Sequence, residues 1–280
     1  MRLLWLSLFT LLCYLGATAA QQDVPFDEED PYFLLCGQAD SAIADGNYSE
    51  AAARLIDAIS IRPNAPESIL LMSNLGMIYS YMGRDSLALE TLNEANRRAP
   101  AMRTIVFNRA KVLLKLGRDT DALHDFATVI AADSLNLDAR FYHGTISLYQ
   151  GRLQDAEADF NILKTNDPES TTTAQALSAL YSLTGRDRDA ILYFKRLISI
   201  EPAAEYYASL AGCQLALQLL SDAASTINEG LDKFPNDPEL YYYRAMLNRD
   251  RYRLDEAHAD AARAVKLGLS PSKAKDLFNN

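Results

Sequence analysis

The sequence of 280 residues has few of the residue types on which catalytic and metal sites depend. It contains three histidines, three cysteines and one tryptophan. The histidines are too far apart along the chain for the short ligand spacings of a metal site, and the chain contains neither a phosphate-binding glycine loop nor a nucleophile motif. We therefore expect no cofactor, no metal and no enzymatic activity. The three histidines are His124, His143 and His258.

Positive charge is also scarce. The chain has 27 Lys and Arg against 37 Asp and Glu, a formal net charge of −10. Binding to nucleic acid or to an anionic lipid surface requires clustered Lys and Arg. The composition therefore disfavours both kinds of partner, and an excess of negative charge mainly promotes solubility.

Long apolar runs are absent except for one at the N-terminus. Arg2 precedes an uncharged segment over 3–15, and small residues occupy 16–20. This order is typical of a secretory signal peptide, and the run is shorter than a membrane-spanning helix. We predict a signal peptide over 1–20, with cleavage after Ala19 or after Ala20, and an acidic disordered segment over 21–31.

Signal cleavage predicts an exported protein, periplasmic or secreted, with no membrane insertion afterwards. Bacterial and eukaryotic secretion both fit this segment. Loss of Arg2 leaves 26 cations (27 minus one) against 37 anions, a net charge of −11. Cys36 and Cys213 would remain, and we expect no disulfide because they fall in distant parts of the repeat array described below.

A Gly-Arg dipeptide recurs at steps of 34 residues. Five residues after each glycine stands an alanine, and nine residues after it stands a large apolar residue. The spacing of four between these two positions marks one face of a helix. The glycines are Gly83, Gly117, Gly151 and Gly185, and the large residues are Leu92, Phe126, Phe160 and Phe194.

Each unit also has a second helical face upstream of the glycine and a defined end. The upstream face is clearest in Leu75, Gly76 and Tyr79, where the small glycine permits close helix approach. Seventeen residues after the turn glycine a proline usually follows, which ends a helix. Each unit is therefore predicted to be helix, tight turn, helix and stop.

This pattern resembles the tetratricopeptide repeat (TPR) family, in which an aromatic, Leu-Gly, Tyr, Ala, Phe, Ala and Pro recur within 34 residues. The resemblance implies an all-α fold, a right-handed α-α superhelix of seven helix hairpins followed by a short C-terminal capping helix. The predicted repeats are 32–65, 69–102, 103–136, 137–170, 171–203, 204–237 and 238–269, with the capping helix and tail over 270–280.

The outer repeats depart from the pattern. The sixth has Gln218 and the seventh has Tyr252 where the turn glycine is expected. Polar residues near the start of the second helices are predicted to cap them by accepting a bond from a free helix amide. These predicted caps are Ser49, Ser86, Thr120, Ser221 and Asp255.

In the family that the sequence resembles, the first helix of each pair lines the concave side, so ligand-binding residues are predicted there. Aromatic rings and two lysines lie at those positions. An alternative is that the rings fill gaps between neighbouring first helices. The predicted groove residues are Tyr81, Phe107, Lys111, Lys115, Phe141, Tyr142, Tyr149, Tyr242 and Tyr243.

Two functions fit these residues. The first is a non-catalytic scaffold or adaptor of the cell envelope or secretory compartment that binds a protein or peptide segment in the groove. The second is a glycan-binding or peptidoglycan-binding envelope protein that uses the same rings as stacking platforms. His143 is expected to be a buried residue with one partner, a ligand-facing role being the alternative.

Overall fold

The computed structural model describes residues 30–100 and 102–278, so the predicted signal peptide and residues 21–29 lie outside the described residues. Within them, every regular element is an α-helix. The helices are α1 Pro31–Ala44, α2 Tyr48–Ile61, α3 Pro66–Tyr81, α4 Asp85–Arg98, α5 Arg103–Lys115, α6 Asp119–Ala132, α7 Leu137–Tyr149, α8 Leu153–Asn166, α9 Thr171–Leu183, α10 Asp187–Ile200, α11 Ala204–Ala216, α12 Leu220–Lys233, α13 Pro238–Asp250, α14 Leu254–Lys266 and α15 Pro271–Asp276.

Helices α1 to α14 follow one another as hairpins, each joined by a short turn. In the second hairpin the amide of Gly83 donates to the carbonyl of Ser80, and the amide of Arg84 donates to the carbonyl of Tyr79. These two bonds close α3 by satisfying carbonyls that a helix end leaves without partners. Arg84, whose amide makes the second of these bonds, is also the residue immediately before α4. The two helices therefore share one turn.

The shared turn explains why the predicted helix caps are wrong. Ser86, for example, lies one residue inside α4, which begins at Asp85 after Arg84. Arg84 makes no capping bond with its side chain. The cap position is set by the closure of the preceding helix. Ser49, Thr120, Ser221 and Asp255 likewise lie inside the first turns of their helices, and in the first hairpin the capping side chain is that of Asn47.

The two turns that lack the expected glycine have the same backbone conformation as the other turns. Gln218 and Tyr252 have φ of 58° and 60°, close to the values between 69° and 76° at the turn glycines. The left-handed region costs a residue with a side chain about 1–2 kcal/mol. The assignment of Gln218 and Tyr252 to the glycine position is therefore confirmed, at some cost in strain.

The large apolar residues of the repeat pattern form the core, as the helix faces in the sequence predicted. Leu92, Phe126 and Phe160 are fully buried, and Phe194 is 6% exposed. Removing each such side chain from water contributes about 1.5–3 kcal/mol. Small residues face them on the first helices, for Gly76 contacts Leu92 and Gly144 contacts Phe160. The predicted all-α fold of TPR-like hairpins is confirmed.

The described chain divides into two compact units. The first, called unit 1, ends at Tyr142, and the second, unit 2, begins at His143. The boundary falls inside α7. Each unit is therefore described by itself below.

Three hairpins contain a polar pair sixteen residues apart that joins the two helices through a buried aspartate. In unit 1, Arg109 donates two bonds of 2.7 Å to Asp125. In unit 2, Arg244 makes the equivalent pair with Asp260, and His143 Nδ1 lies 2.6 Å from Asp159. His143 therefore takes the place of an arginine, as a largely buried residue with a defined partner.

The remaining sequence expectations concern cysteines and membranes. Cys36 and Cys213 are buried, and no disulfide joins these two described cysteines. Among the described helices, none is both long and apolar enough to cross a membrane.

Glycine packing gives a matched pair of substitutions. A Cβ at position 76 would lie 2.6 Å from Leu92 Cγ, whereas a Cβ at position 37 meets nothing within 4 Å. We expect Gly76→Ala to destabilise the protein by about 1–3 kcal/mol through overpacking. Gly37→Ala should stabilise α1 by about 0.5–1 kcal/mol. Guanidinium unfolding followed by circular dichroism measures both, and a stable Gly76→Ala variant would contradict the assigned packing.

Candidate functional site

Six of the predicted groove residues lie in unit 1, and five of them lie on the same side of three successive first helices. Tyr81 belongs to α3, Phe107 and Lys111 to α5, and Phe141 and Tyr142 to α7. All but Tyr81 are partly buried, and Tyr81 is 61% exposed. These five residues are called the aromatic surface of unit 1.

The rings of this surface rest on a buried phenylalanine of the core. Phe126 is stacked on Tyr142 with ring centroids 5.2 Å apart, and Phe107 lies edge-on to Phe126 at 5.7 Å. Phe141 in turn lies edge-on to Tyr142 at 5.4 Å. Edge-on and offset contacts of this kind stabilise aromatic clusters. Phe107 and Tyr142 therefore fill space between helices as well as contributing to a surface.

A lysine lies over the aromatic cluster. The ammonium of Lys111 is 5.8 Å from the centroid of the Phe107 ring, within the range of a cation–π contact. Burial lowers the pKa of Lys111, and the carboxylate of Asp138 opposes this shift. A positive charge is therefore kept at this surface with less than its full hydration.

The same carboxylate acts on the neighbouring tyrosines. Burial raises the pKa of Tyr142, and Asp138 and then Tyr81 raise it further. This influence places Tyr81, Tyr142 and Asp138 in one neighbourhood. Sequence reasoning missed Asp138, although it lies in a first helix, where ligand-binding residues were predicted.

Tyr81 presents the most exposed ring of the aromatic surface. It stacks on Tyr48 of α2 with centroids 5.6 Å apart and an interplanar angle of 23°. Burial raises the pKa of Tyr81, and Tyr48 raises it further. Tyr48 was not predicted as a site residue, yet the stacked pair forms a flat aromatic platform beside the turn.

Lys115, the sixth predicted residue of unit 1, serves the turn between α3 and α4. Its ammonium donates to the carbonyl of Ser80 at 2.6 Å and pairs with Asp85 at 2.8 Å. Ser80 also donates to Asp85 at 2.9 Å. Lys115 therefore ties the third hairpin to the turn of the second, and its charge is balanced there.

The other three predicted residues lie in unit 2, in two separate places. Tyr149, at the end of α7, is 71% exposed. Tyr242 and Tyr243 are adjacent in α13, with ring centroids 5.5 Å apart. Neither tyrosine of α13 presents a largely exposed ring.

Tyr243 packs inside the first-helix layer of unit 2. A Cβ added at Gly212 would lie 3.0 Å from its ring, so the missing side chain makes room for the tyrosine. Burial raises the pKa of Tyr243 to about 12, with smaller contributions from Glu239, Tyr242 and Cys213. Its role in the structure is packing between α11 and α13.

Tyr242 contacts the C-terminal helix α15. The ammonium of Lys273 lies 4.8 Å from the centroid of the Tyr242 ring and also binds Glu239 at 2.6 Å. Leu277 is buried, and Arg249 donates to its carbonyl at 2.8 Å. A segment of the chain itself therefore covers part of this predicted site.

The predicted site residues gather aromatic rings rather than metal ligands. In the described ranges no three His, Cys, Asp or Glu side chains are gathered in a way that could hold a metal ion. What the structure brings together is aromatic area beside one partly dehydrated cation, arranged on tandem helix hairpins. That arrangement defines a helical repeat protein with an aromatic surface on its first helices.

Comparison with family models identifies the repeat. Two tetratricopeptide repeat models match residues 71–102 and 107–171. The first match covers most of α3 and all of α4, and the second covers most of α5 and all of α6 to α8. Together with the fold, these matches show that this part of the chain is built of tetratricopeptide repeats.

Individual relatives are distant. A DnaJ homolog subfamily C member 7 homolog from Dictyostelium discoideum is 23% identical over 57% of this chain. The chain spans about a third of that relative's length, for 33% of it is covered.

Solved structures agree on the fold. A tetratricopeptide repeat protein from Parabacteroides merdae is 22% identical with a TM-score of 0.67, covering 89% of this chain and 98% of its own. The Cut9-Hcn1 hetero-tetramer of the APC/C contains a chain that is 14% identical with a TM-score of 0.70, covering 98% of this chain and 51% of its own. At these identities the likeness concerns the fold.

The tether at Lys115 gives a pH-dependent prediction. The bond from Lys115 lowers the pKa of Asp85. A depressed carboxyl pKa adds stability above the unfolded pKa, which is about 3.9, and this stability is lost as pH falls through the folded pKa. We expect Lys115→Met to lower the unfolding free energy at pH 7 by up to about 1 kcal/mol, as for other partly exposed ion pairs.

The difference between wild type and Lys115→Met should shrink as pH falls from about 5 towards 3, because Asp85 becomes protonated. Urea unfolding at several pH values measures it. Lys115→Arg is the control, since it keeps the charge and should retain most of the stability. A difference that stays constant with pH would show that the ion pair does not act as described.

Proposed function

We propose that the protein is a non-catalytic adaptor of an exported compartment, and that the aromatic surface of unit 1 binds a segment of a partner protein. The observation that carries the proposal is the convergence of three rings, those of Phe107, Phe141 and Tyr142, with Lys111 from two successive first helices. Tyr81 of the preceding first helix is near enough to influence Tyr142 electrostatically. TPR chains provide such surfaces for other proteins, and the Cut9-Hcn1 structure is of a hetero-tetramer.

The energetics favour the rings as the main source of affinity. Burying one apolar ring contributes roughly 1.5–3 kcal/mol, whereas an exposed ion pair contributes about 0–1 kcal/mol. Lys111 would orient the segment by its charge. Since Lys115 is already paired with Asp85, it contributes little to partner binding.

The aromatic residues that best test partner binding are those that do not also contact the buried core. Phe107 and Tyr142 both touch the buried Phe126 and so support the fold. Tyr81 is largely exposed, and Phe141 contacts the cluster through Tyr142. Tyr81 and Phe141 are therefore the residues whose removal should affect a partner more than the hairpins.

Glycan binding is the second candidate, and a specific geometry supports it. The stacked pair of Tyr48 and Tyr81 has one largely exposed member. A flat aromatic face of this kind can stack on a sugar ring as well as on an apolar side chain. The two candidate functions differ in the ligand that contacts Tyr81, which is a protein segment in the first and a glycan in the second.

Export rests on the order of charge, apolar run and small residues over 1–20. An adaptor in that compartment would meet its partner after translocation. The net charge of −10 is consistent with a soluble chain that avoids nucleic acid and anionic lipid surfaces. Periplasmic and secretory-pathway locations both follow from such a segment.

A photo-crosslinking experiment tests the binding surface. A benzophenone amino acid placed at position 81 should crosslink a discrete protein in the exported fraction of the native organism. The same probe at Leu135, which is 60% exposed in the loop before α7, should not. Phe141→Ala should lower the yield at position 81 at least about tenfold, as for a residue central to an interface.

Circular dichroism of Phe141→Ala should stay helical, because the ring lies outside the buried core. Equal crosslinking at positions 81 and 135, or an undiminished yield in Phe141→Ala, would contradict binding on this surface. Isothermal titration with envelope glycan fragments separates the second candidate. Binding heat that is observed with the wild type and disappears in Tyr81→Ala would favour glycan binding.

The export proposal has its own measurement. Intact mass of the protein recovered from the organism should correspond to a chain beginning at Ala20 or at Gln21, after cleavage at one of the two candidate bonds. Replacing the apolar run by polar residues should retain the chain in the cytoplasm. A recovered chain that still begins at Met1 would contradict the predicted signal peptide.

A further inference from the structure

Helix α1 carries a carboxylate that its own chain leaves without a partner. Asp40 is partly buried, and no hydrogen bond or ion pair joins it to another described residue. Burial alone raises the pKa of Asp40, with no cation acting against the shift. The cations of the same hairpin are held elsewhere, for Arg54 pairs with Glu50 and Arg62 with Asp30. A partly dehydrated carboxylate without a partner destabilises the fold.

The neighbours of Asp40 on its helix face are small. Gly37 lies three residues before it and Ala44 four residues after it, which places all three on one face of α1. Both neighbours are exposed, and a Cβ added at Gly37 would meet nothing within 4 Å. A glycine inside a helix costs stability, and in the described chain nothing packs into the space that it leaves. The carboxylate is therefore accessible to a side chain from outside. Gly37, Asp40 and Ala44 are called the acidic face of α1.

Charge on the first helices of unit 1 is separated by sign. Helices α1 and α3 contain no Lys or Arg, whereas α5 contains four such residues and no acid. Asp40 and Lys111 are the ninth residues of the predicted repeats 32–65 and 103–136, so they take equivalent places on α1 and α5. The row of first helices therefore offers negative charge at α1 and positive charge at α5.

The acidic face of α1 and the aromatic surface of unit 1 belong to neighbouring hairpins. Tyr48 begins α2 four residues after Ala44, and its ring stacks on that of Tyr81. Tyr81 is the member of the aromatic surface that lies on α3, the first helix next to α1. One extended segment can therefore contact both places.

We propose that the acidic face of α1 binds a lysine or arginine side chain of the partner segment that lies on the aromatic surface of unit 1. The cationic group donates to the carboxylate of Asp40, and the space at Gly37 admits the aliphatic stem. A charge-assisted bond of this kind compensates for the dehydration of Asp40 only in the complex. The inference rests on the function proposed above and adds the chemistry and direction of the partner. Its basic residue lies at α1, and its apolar residues follow towards α5 and α7.

Selection from a random peptide library displayed on phage tests this site, with the full exported chain as the target. Peptides selected on the wild type should carry Lys or Arg at one end more often than the unselected library, with apolar residues beside it. Asp40→Lys should reverse this preference to Asp or Glu, because it reverses the charge that the peptide meets. Asp57→Lys is the matched control, at an exposed acid of α2, and should select the same peptides as the wild type.

The affinity of one selected basic peptide gives the magnitude. Asp40→Asn should raise its Kd at least about tenfold, as expected for the loss of a hydrogen bond to a charged group. Asp57→Asn removes the same charge and should leave the Kd unchanged. Asp40→Asn should also raise the Tm of the free protein, because it removes a partly buried charge. Weaker binding together with a higher Tm excludes misfolding as the cause.

Two contrary outcomes are distinguishable. Peptides that lack a basic preference and bind Asp40→Asn as tightly as the wild type, yet lose binding in Phe141→Ala, would overturn this inference and leave the aromatic surface as the binding site. Peptides that bind Phe141→Ala as tightly as the wild type would overturn the proposed function, and this inference with it.

Discussion

The close approach of the two helices within each hairpin is the constraint on which the fold depends. A large side chain of the second helix packs against a small residue of the first, as Leu92 does on Gly76 and Phe160 on Gly144. Only a small residue allows the backbones to come this near. One face of each first helix therefore packs against the second helix of the same hairpin. The residues beside that face can contact an adjacent hairpin or a ligand.

Sequence periodicity was sufficient for the hairpins because the signal repeats. Steps of 34 residues, the alanine after each glycine and the apolar residue four places later all report the same helix packing. Even the degenerate turns at Gln218 and Tyr252 could be aligned, and both keep the glycine backbone. The helix caps could not be predicted from residue type, because the closure of one helix fixes the start of the next.

The candidate site was less predictable, for a physical reason. Position in the repeat predicts the direction in which a side chain points. It does not predict how much of that side chain the neighbouring residues bury. Tyr243 fits a space created by Gly212, from another hairpin, whereas Tyr81 remains largely in water. Likewise Lys115 is held by Asp85 at 2.8 Å, a partner that its position in the repeat does not reveal. Such differences depend on residues about 30 positions away along the chain.

The C-terminal helix also limits how these chains could assemble. With Leu269, Ala274 and Leu277 buried against α13 and α14, the last hairpin has no bare apolar flank onto which a further hairpin could stack. Repeat arrays with two bare flanks can join head to tail into open-ended fibres. A sealed flank removes this end of the array as a surface for such growth.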